Sequence, residues 1–501
     1  MSDTPAENPS SRPGAPSSIW RNWLTLAGAV LTGSAVFAFI FLFLMDQFGG
    51  HSNAYVGVLC YMVAPGFGFA GLMLMLLGGW WQRRARRRRP DAPAPRLAID
   101  LSRPRDRKLA VWFGVGTMTF LLLTSLGSYQ TYHFTESNQF CGMVCHDIMA
   151  PEFIAHQKGN HARVACVECH IGEGATWFVK AKVNGAHQVY AALRDSYSRP
   201  IPTPISNLRP ARDTCEQCHW PEKFVGNIDR TYQRYLADEE STPFAVRLLL
   251  HVGGGSEPHG PVGGIHWHTS PDHTVEYYAT DPQRLTIPWV RVTNAKGEVT
   301  VFRKEDFTEE PPSHAIRRMD CLDCHNRPAH NFMAPNDAVD EALTYERLDR
   351  SLPSIKRTAV DLLTTEYTSH EEAATAIAAG LKEAYADRAG PAVDAAVATV
   401  TEIYQTNFFP QMKANWSAYP VHQGHKDSPG CFRCHDGSHK AVDNPQRTIA
   451  ASDCKACHTI TAQGTGAELA EFSLTGLPFK HPDGEPPEGL LCSDCHNGKM
   501  Q

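Results

Sequence analysis

Residues 161–170 read HARVACVECH: two cysteines two residues apart, with a histidine directly behind the second. The pattern returns as CEQCH at 215–219, CLDCH at 321–325, CFRCH at 431–435, CKACH at 454–458 and CSDCH at 492–496. A seventh copy, CGMVCH at 141–146, has three residues between its cysteines. Fourteen of the 15 cysteines fall into these seven pairs, and every pair is followed by histidine, although only 24 of 501 residues are histidine. Chance does not give seven out of seven. Zinc ribbons pair one C-x-x-C with another and need no histidine behind each. Disulfide frameworks do not predict that histidine either. C-x-x-C-H is the attachment signature of c-type haem. The two thiols form thioethers to the porphyrin, and the next imidazole reaches the iron.

Seven covalently bound haem c groups are therefore expected. Their attachment residues are Cys141 and Cys145, Cys166 and Cys169, Cys215 and Cys218, Cys321 and Cys324, Cys431 and Cys434, Cys454 and Cys457, and Cys492 and Cys495. The proximal ligands of the second to seventh haems are His170, His219, His325, His435, His458 and His496, with His146 in that place at the first. The remaining cysteine, Cys60 in GVLCYMV, reads as a membrane-buried thiol.

Three apolar runs precede the motifs. Leu24–Met45, Ala54–Trp80 (bent at Pro65 and its neighbouring glycines) and Leu109–Ser128 are each long enough to span a bilayer as a helix. The first lacks a small-residue cleavage site behind it and reads as a retained anchor. Between the second and third, Arg83 to Lys108 carries eleven basic residues against three acidic. A short basic loop between two spans is cytoplasmic by the positive-inside rule, a better account than a nucleic-acid patch. The N-terminus then lies inside, and everything beyond Tyr129 lies in the periplasm of a bacterial inner membrane. Haem attachment to c-type cytochromes on that side agrees with this topology. Residues 1–129 hold 13 basic and 6 acidic side chains; subtracting from 47 and 53 leaves 34 and 47, about −13, for the rest. Such a surface would steer a basic partner, although a solvated acidic face needs none.

The expected fold is an α-helical anchor of three transmembrane helices joined to a multihaem cytochrome c domain, mostly irregular and α with a small β-subdomain. Its parts are a cytoplasmic tail (1–23), the anchor (24–128, with the basic loop at 82–108), haems one to three (129–241), the β-subdomain (242–306), haem four (307–335), a helical segment (336–405) and haems five to seven (406–501). The β reading rests on HTVEYYAT and on TIPWVRVT-NAKG-EVTVFRK, two alternating runs around a glycine-containing turn. The helical reading rests on SHEEAATAIAAGLKEAYADRAG, where Ser369 and Glu372 form a capping box.

All seven motifs end in histidine, and seventeen further histidines remain as second ligands. Those just outside a motif are favoured, because a short tether can carry an imidazole to a neighbouring haem: His161, His330, His425, His439 and His481. His266 or His268, in GGIHWH, supplies another. Bis-histidine ligation gives low potentials. A terminal multihaem reductase needs an open iron, often marked by C-x-x-C-K, and no such variant occurs.

The anchor followed by CGMVCHDIM, HARVACVECH and TCEQCHWPEKF resembles the NapC/NirT family of membrane-bound quinol dehydrogenases. The seven motifs, three spans, CLDCHNRPAH and GCFRCHDGSH are similar to its heptahaem inner-membrane branch. The family core would be about Leu109–Gly226 with the fourth motif near Asp320–Phe332. The resemblance implies quinol (menaquinol) oxidation at the periplasmic membrane face and relay of electrons to a periplasmic acceptor, a c-type cytochrome. The partners it implies are the quinol pool, the lipid bilayer and either a homo-oligomer or a larger respiratory complex, with no nucleic acid. It further implies a methionine ligand at the first haem, here Met149, which leaves open whether His146 or Met149 binds that iron. Lys182 in WFVKAKVNGAHQVY stands where the family carries a quinol-site lysine, and His187 near its acidic position. Because quinol oxidation releases protons, a base is needed beside the iron; Asp147 and Glu152 are further candidates. Two other readings stay open. Lys180 and Lys182 could merely snorkel to headgroups, and the protein could be a wire subunit whose quinol site belongs to another chain.

Overall fold

The computed structural model describes residues 22–48, 63–88, 102–116 and 130–499, except 109, 113, 131–132, 145, 173, 206–208, 225, 254–262, 450–453, 483, 485–486 and 488. The chain separates into two units, residues 1–134 with 171–185, and residues 135–170 with 186–501.

The first unit contains α1 (Trp23–Phe48) and α2 (Ala64–Arg88). Both are apolar and long enough to cross a bilayer, over Trp23–Ile40 and Ala64–Ala85. Small residues let them touch backbone to backbone. A Cβ added at Gly28 would lie 2.6 Å from the Gly71 carbonyl oxygen, and one at Gly78 would lie 2.8 Å from the Thr25 nitrogen. Such close packing is what holds helices together in lipid, where there is no hydrophobic drive between them. Asn22 ties the ends: its Oδ1 accepts from the Thr25 N–H at 2.8 Å, and its Nδ2 donates to the Gly78 carbonyl at 3.1 Å. Pro65 lies in the first turn of α2, where its missing N–H forfeits no helical bond. Most of the third apolar run, Leu109–Ser128, lies outside the described residues.

In the second unit the helices α3 (Asn138–Met143) and α4 (His146–Lys158) flank the end of the first motif. Ser137 caps α3 by accepting from the Phe140 N–H at 3.1 Å. A further helix, α5 (Ala175–Leu193), begins in the first unit and ends in this one. Among the described residues eight strands follow: β1 (Ile228–Tyr235), β2 (Pro243–Leu250), β3 (Thr274–Tyr278), β4 (Trp289–Thr293), β5 (Val299–Arg303), β6 (Arg317–Arg318), β7 (Lys440–Ala441) and β8 (His458–Gly464). They form two antiparallel sheets, ordered β1-β2-β8 and β6-β3-β4-β5-β7. Residues 242–306 thus contribute β2 to β5, while β1, β6, β7 and β8 come from elsewhere in the chain. In β2–β8 the register sets Leu250 opposite His458, so the sixth motif's histidine begins a strand. The hairpin β4–β5 turns at Asn294–Gly297, with Thr293 opposite Val299. Its sheet buries Tyr277, Ile287, Trp289 and Val290.

Four helices stand between the fourth and fifth motifs: α6 (Pro335–Thr344), α7 (Ile355–Thr364), α8 (His370–Ala384) and α9 (Pro391–Asn407). Ser369 caps α8, accepting from the Glu372 N–H at 3.2 Å, while Glu372 accepts from the Thr368 N–H at 2.7 Å. Val339, Ile355, Val360, Ile377, Leu381 and Val400 are fully buried together. This bundle has its own core and no cysteine. The haem motifs themselves form single turns, as at Cys166–His170, Cys321–Cys324 and Cys492–Cys495.

Candidate haem centres

Four of these turns close the same way: the histidine N–H bonds the first cysteine's carbonyl, at 2.8 Å for His219 and His325, 3.0 Å for His435 and 2.7 Å for His496. Such a turn keeps two sulfurs and an imidazole within one short segment, as attachment of a single porphyrin requires. Thirteen of the motif cysteines are described, and none is in a disulfide.

The six described motif imidazoles each face a second imidazole. Ring centroids are 6.1 Å apart for His170 and His330, 6.1 Å for His219 and His161, and 6.3 Å for His325 and His266. They are 5.7 Å apart for His435 and His268, 6.2 Å for His458 and His425, and 5.9 Å for His496 and His481. An imidazole nitrogen lies about 1.1 Å from its ring centroid and bonds a metal at about 2.0 Å, so two rings on opposite faces of one iron have centroids roughly 6 Å apart. Ordinary aromatic contacts cover the same range, so spacing alone does not decide.

The other ring nitrogen does discriminate. A metal-bound histidine usually donates its remaining N–H to a carbonyl or carboxylate. His161 Nδ1 bonds the Pro328 carbonyl at 3.0 Å, His266 Nδ1 that of Val252 at 3.1 Å, His268 Nδ1 that of Ile265 at 2.8 Å, and His330 Nδ1 that of Glu152 at 2.9 Å. In all four, Nε2 is left for a metal. His439 is different. It is fully buried, with Nδ1 on Asp436 at 3.2 Å and Nε2 on the Ile287 carbonyl at 2.7 Å, so its proximity to a motif reflects a structural bond across to the sheet. His156 and His251 likewise engage both nitrogens with protein groups. His425 and His458 have a buried Nδ1 without a hydrogen-bond partner among the described residues. One 3₁₀ turn, Ile265–Thr269, serves two motifs: His266 faces the fourth and His268 the fifth. Sequence reasoning expected only one of the two; histidines alternating across a turn were the available signal.

Burial favours the neutral form, the one a metal binds, at seven of these imidazoles. It pushes His170 down to about 4, helped by His330, and His268 down to about 4. His266, His325, His330, His425 and His458 are lowered by burial too.

Neighbouring motifs lie near one another. The Cys166 thiol is hydrogen-bonded to Cys141, and the Cys166 N–H donates to Asn138 Oδ1 at 2.9 Å. Cys169 and Cys218 are within electrostatic reach, Cys215 is hydrogen-bonded to Cys321, and Cys324 lies near Cys431. The His425 ring, which faces the sixth motif, stacks on Phe432 of the fifth at 4.3 Å, and Cys454 lies near Cys492.

At the first motif, Cys145 and the side chains of His146 and Asp147 lie outside the described residues. Met149 is half-buried on α4. Gly142 is buried under the ring of Phe153, which leaves no room for a Cβ. Glu152 is committed to Arg327, whose Nη2 donates to its two carboxylate oxygens at 3.2 and 3.0 Å. On α5, Lys182 is half-buried with Nζ 4.9 Å over the Phe178 ring, Lys180 lies 4.6 Å over Trp177, and His187 is exposed.

Paired imidazoles beside attachment cysteines, on a chain with two membrane-length apolar helices, define a membrane c-type cytochrome built for electron transfer. The chain belongs to the NapC/NirT cytochrome c family: the N-terminal region of that family matches residues 103–200. It is 42% identical over 492 residues to the cytochrome c-type protein ImcH of Geobacter sulfurreducens, covering 95% of each chain. No solved structure matches it.

Proposed function

We propose that this protein carries seven haem c groups, oxidises quinol (menaquinol in the first instance) at the periplasmic face of the membrane, and relays electrons singly to a periplasmic redox partner. The observation that supports the reading is the succession of neighbouring motifs, each from the second to the seventh with its own imidazole pair. Bound haem supplies one-electron chemistry, and bis-histidine ligation keeps its potential low. In this reading the six centroid pairs above are the axial pairs, and His439 remains structural. Each Nδ1 bond to a carbonyl fixes a ring's orientation and raises the basicity of Nε2. A third apolar helix at 109–128 would set the first motif close to the bilayer, with Met149 as a ligand beside or in place of His146. Lys182 would hold the quinol's oxygen, and His187 or Asp147 would take its proton. Glu152 is a weaker base, since Arg327 already holds it.

Anaerobic mixing of the purified protein with a menaquinol analogue, followed by haem absorbance, tests this directly. Reduction is expected, and Lys182→Leu should slow it severely with every haem still attached. If the isolated protein takes no electrons from quinol, the second reading stands: a wire subunit fed by another membrane chain. A terminal reductase is disfavoured because every described motif histidine faces a second imidazole, which leaves no position for substrate.

A further inference from the structure

The fourth motif is CLDCH, and its Asp323 is 1% exposed. Oδ1 alone accepts from three side chains: Tyr277 Oη at 2.6 Å, Arg284 Nη1 at 2.7 Å and Arg317 Nε at 2.8 Å. Oδ2 caps its own turn, accepting from the Asp320 N–H at 2.7 Å. The Asp323 backbone carbonyl accepts from Arg433 Nη2 at 2.7 Å, and Arg433 is the corresponding variable residue of the fifth motif, CFRCH. Arg433 is 7% exposed and also donates to the Arg284 carbonyl at 3.0 Å, which closes the cluster.

Capping alone does not explain this arrangement. In the seventh motif Asp494 caps its turn in the same way, accepting from the Leu491 N–H at 2.8 Å, yet it is exposed. Burying a carboxylate among guanidiniums is expensive unless every lone pair is satisfied. Here the carboxylate is satisfied from β3 (Tyr277), β6 (Arg317) and the Asp281–Arg284 turn, while Arg433 of the fifth motif takes the backbone carbonyl. The fourth and fifth motifs also share the turn that presents His266 and His268.

We propose, on the haem reading above, that Asp323 is a positioning residue: clamped by Arg284, Arg317 and Tyr277 and bridged to Arg433, it fixes the fourth haem against the fifth and holds the fourth haem's reduction potential down. The charge argument has a definite sign. Three guanidiniums (Arg284, Arg317, Arg433) stand against two carboxylates (Asp320, Asp323). Asp323 is two residues from the iron-binding histidine, in surroundings where charges are weakly screened. Neutralising it leaves excess positive charge, which stabilises the reduced iron and raises its potential. Removing Arg433 does the opposite.

The test is potentiometric titration of the full-length holoprotein, followed by electron paramagnetic resonance, for Asp323→Asn and Arg433→Gln. Asp323→Asn should move one low-spin haem to higher potential, and Arg433→Gln should move the same haem or its neighbour to lower potential. Simple loosening of the fold would move both variants in one direction. Unmoved potentials in both variants, or equal signs, overturn the inference. If Asp323→Asn does not mature, Asp320→Asn takes its place: it should shift upward against the downward shift of Arg433→Gln, and equal signs or an unchanged value in either overturns it. Haem content is counted in parallel. Wild-type protein without covalent haem would overturn the haem reading itself, whereas full haem content with unmoved potentials overturns only the role of Asp323.

Discussion

Replacing Arg327 by leucine tests whether the second haem's surroundings are held from the first motif's side. Arg327 is 8% exposed and Glu152, on α4, 14%. The guanidinium donates to both Glu152 oxygens, donates through Nε to the His330 carbonyl at 2.7 Å, and lies 4.3 Å over Tyr419 and 5.1 Å over Phe332. Glu152 in turn offers its carbonyl to His330 Nδ1. Breaking a buried pair from one side costs about 3–5 kcal/mol, because it leaves the other charge uncompensated. Loss of the two ring contacts adds about 1 kcal/mol. Arg327→Leu should therefore lose roughly 4–6 kcal/mol. Adding Glu152→Gln removes the stranded charge and should restore about half of that. The assay is guanidinium unfolding of detergent-solubilised holoprotein, followed by loss of low-spin haem absorbance. A protein of this size need not unfold in two states, so the midpoint of the transition that includes the second haem is the quantity compared. A single variant within about 1 kcal/mol of wild type, or a double variant weaker than the single, would refute the reasoning.

Other outcomes follow from the same geometry. His330→Ala and His161→Ala should each keep every covalent haem but convert one low-spin signal to high spin, whereas His439→Ala should alter stability and leave spin states alone. His266→Ala and His268→Ala should affect different haems; loss of the same signal in both would contradict the shared turn. Gly142→Leu forces a side chain into Phe153 and should destabilise by about 1–3 kcal/mol, measured as lower occupancy of the first haem and relieved by Phe153→Ala. Met149→Ala should shift the first haem's spectrum and leave the other six unchanged.

Candidate attachment sites are legible in sequence because thioether chemistry demands contiguous residues: two thiols and a ligand within one turn. Their partners are not contiguous. His330 meets His170 across 160 positions (330 − 170), and nothing local marks it. Tether length favoured His161, His330, His425 and His481, which do face motif histidines, but it favoured His439 equally. What separates His439 is the Ile287 carbonyl on its Nε2, a tertiary contact invisible in sequence. The β4–β5 hairpin and the α6–α9 bundle carry their own periodicities, turns and caps, so local reading reaches them. The strands β6 and β7 are two residues long and exist only because a sheet edge accepts them, and no alternation announces them. The apolar helices were evident from length, while their glycine contacts depend on which faces meet.

The order of the paired histidines along the chain has a consequence for manufacture. In five of the six pairs the second imidazole precedes the motif: His161 before His219, His266 before His325, His268 before His435, His425 before His458 and His481 before His496. A chain crossing the membrane N-terminus first would deliver each of those irons a waiting partner. On the proposed pairing the second haem, alone among these six, would be attached ahead of its partner, because His330 is still 160 residues from emerging when His170 arrives (330 − 170). At synthesis rates of roughly 5–20 residues per second, that gap lasts about 10–30 s. During that interval the second iron would hold an open face, so on this pairing a pause in export between the second and fourth motifs is when the protein would be most exposed to a stray ligand.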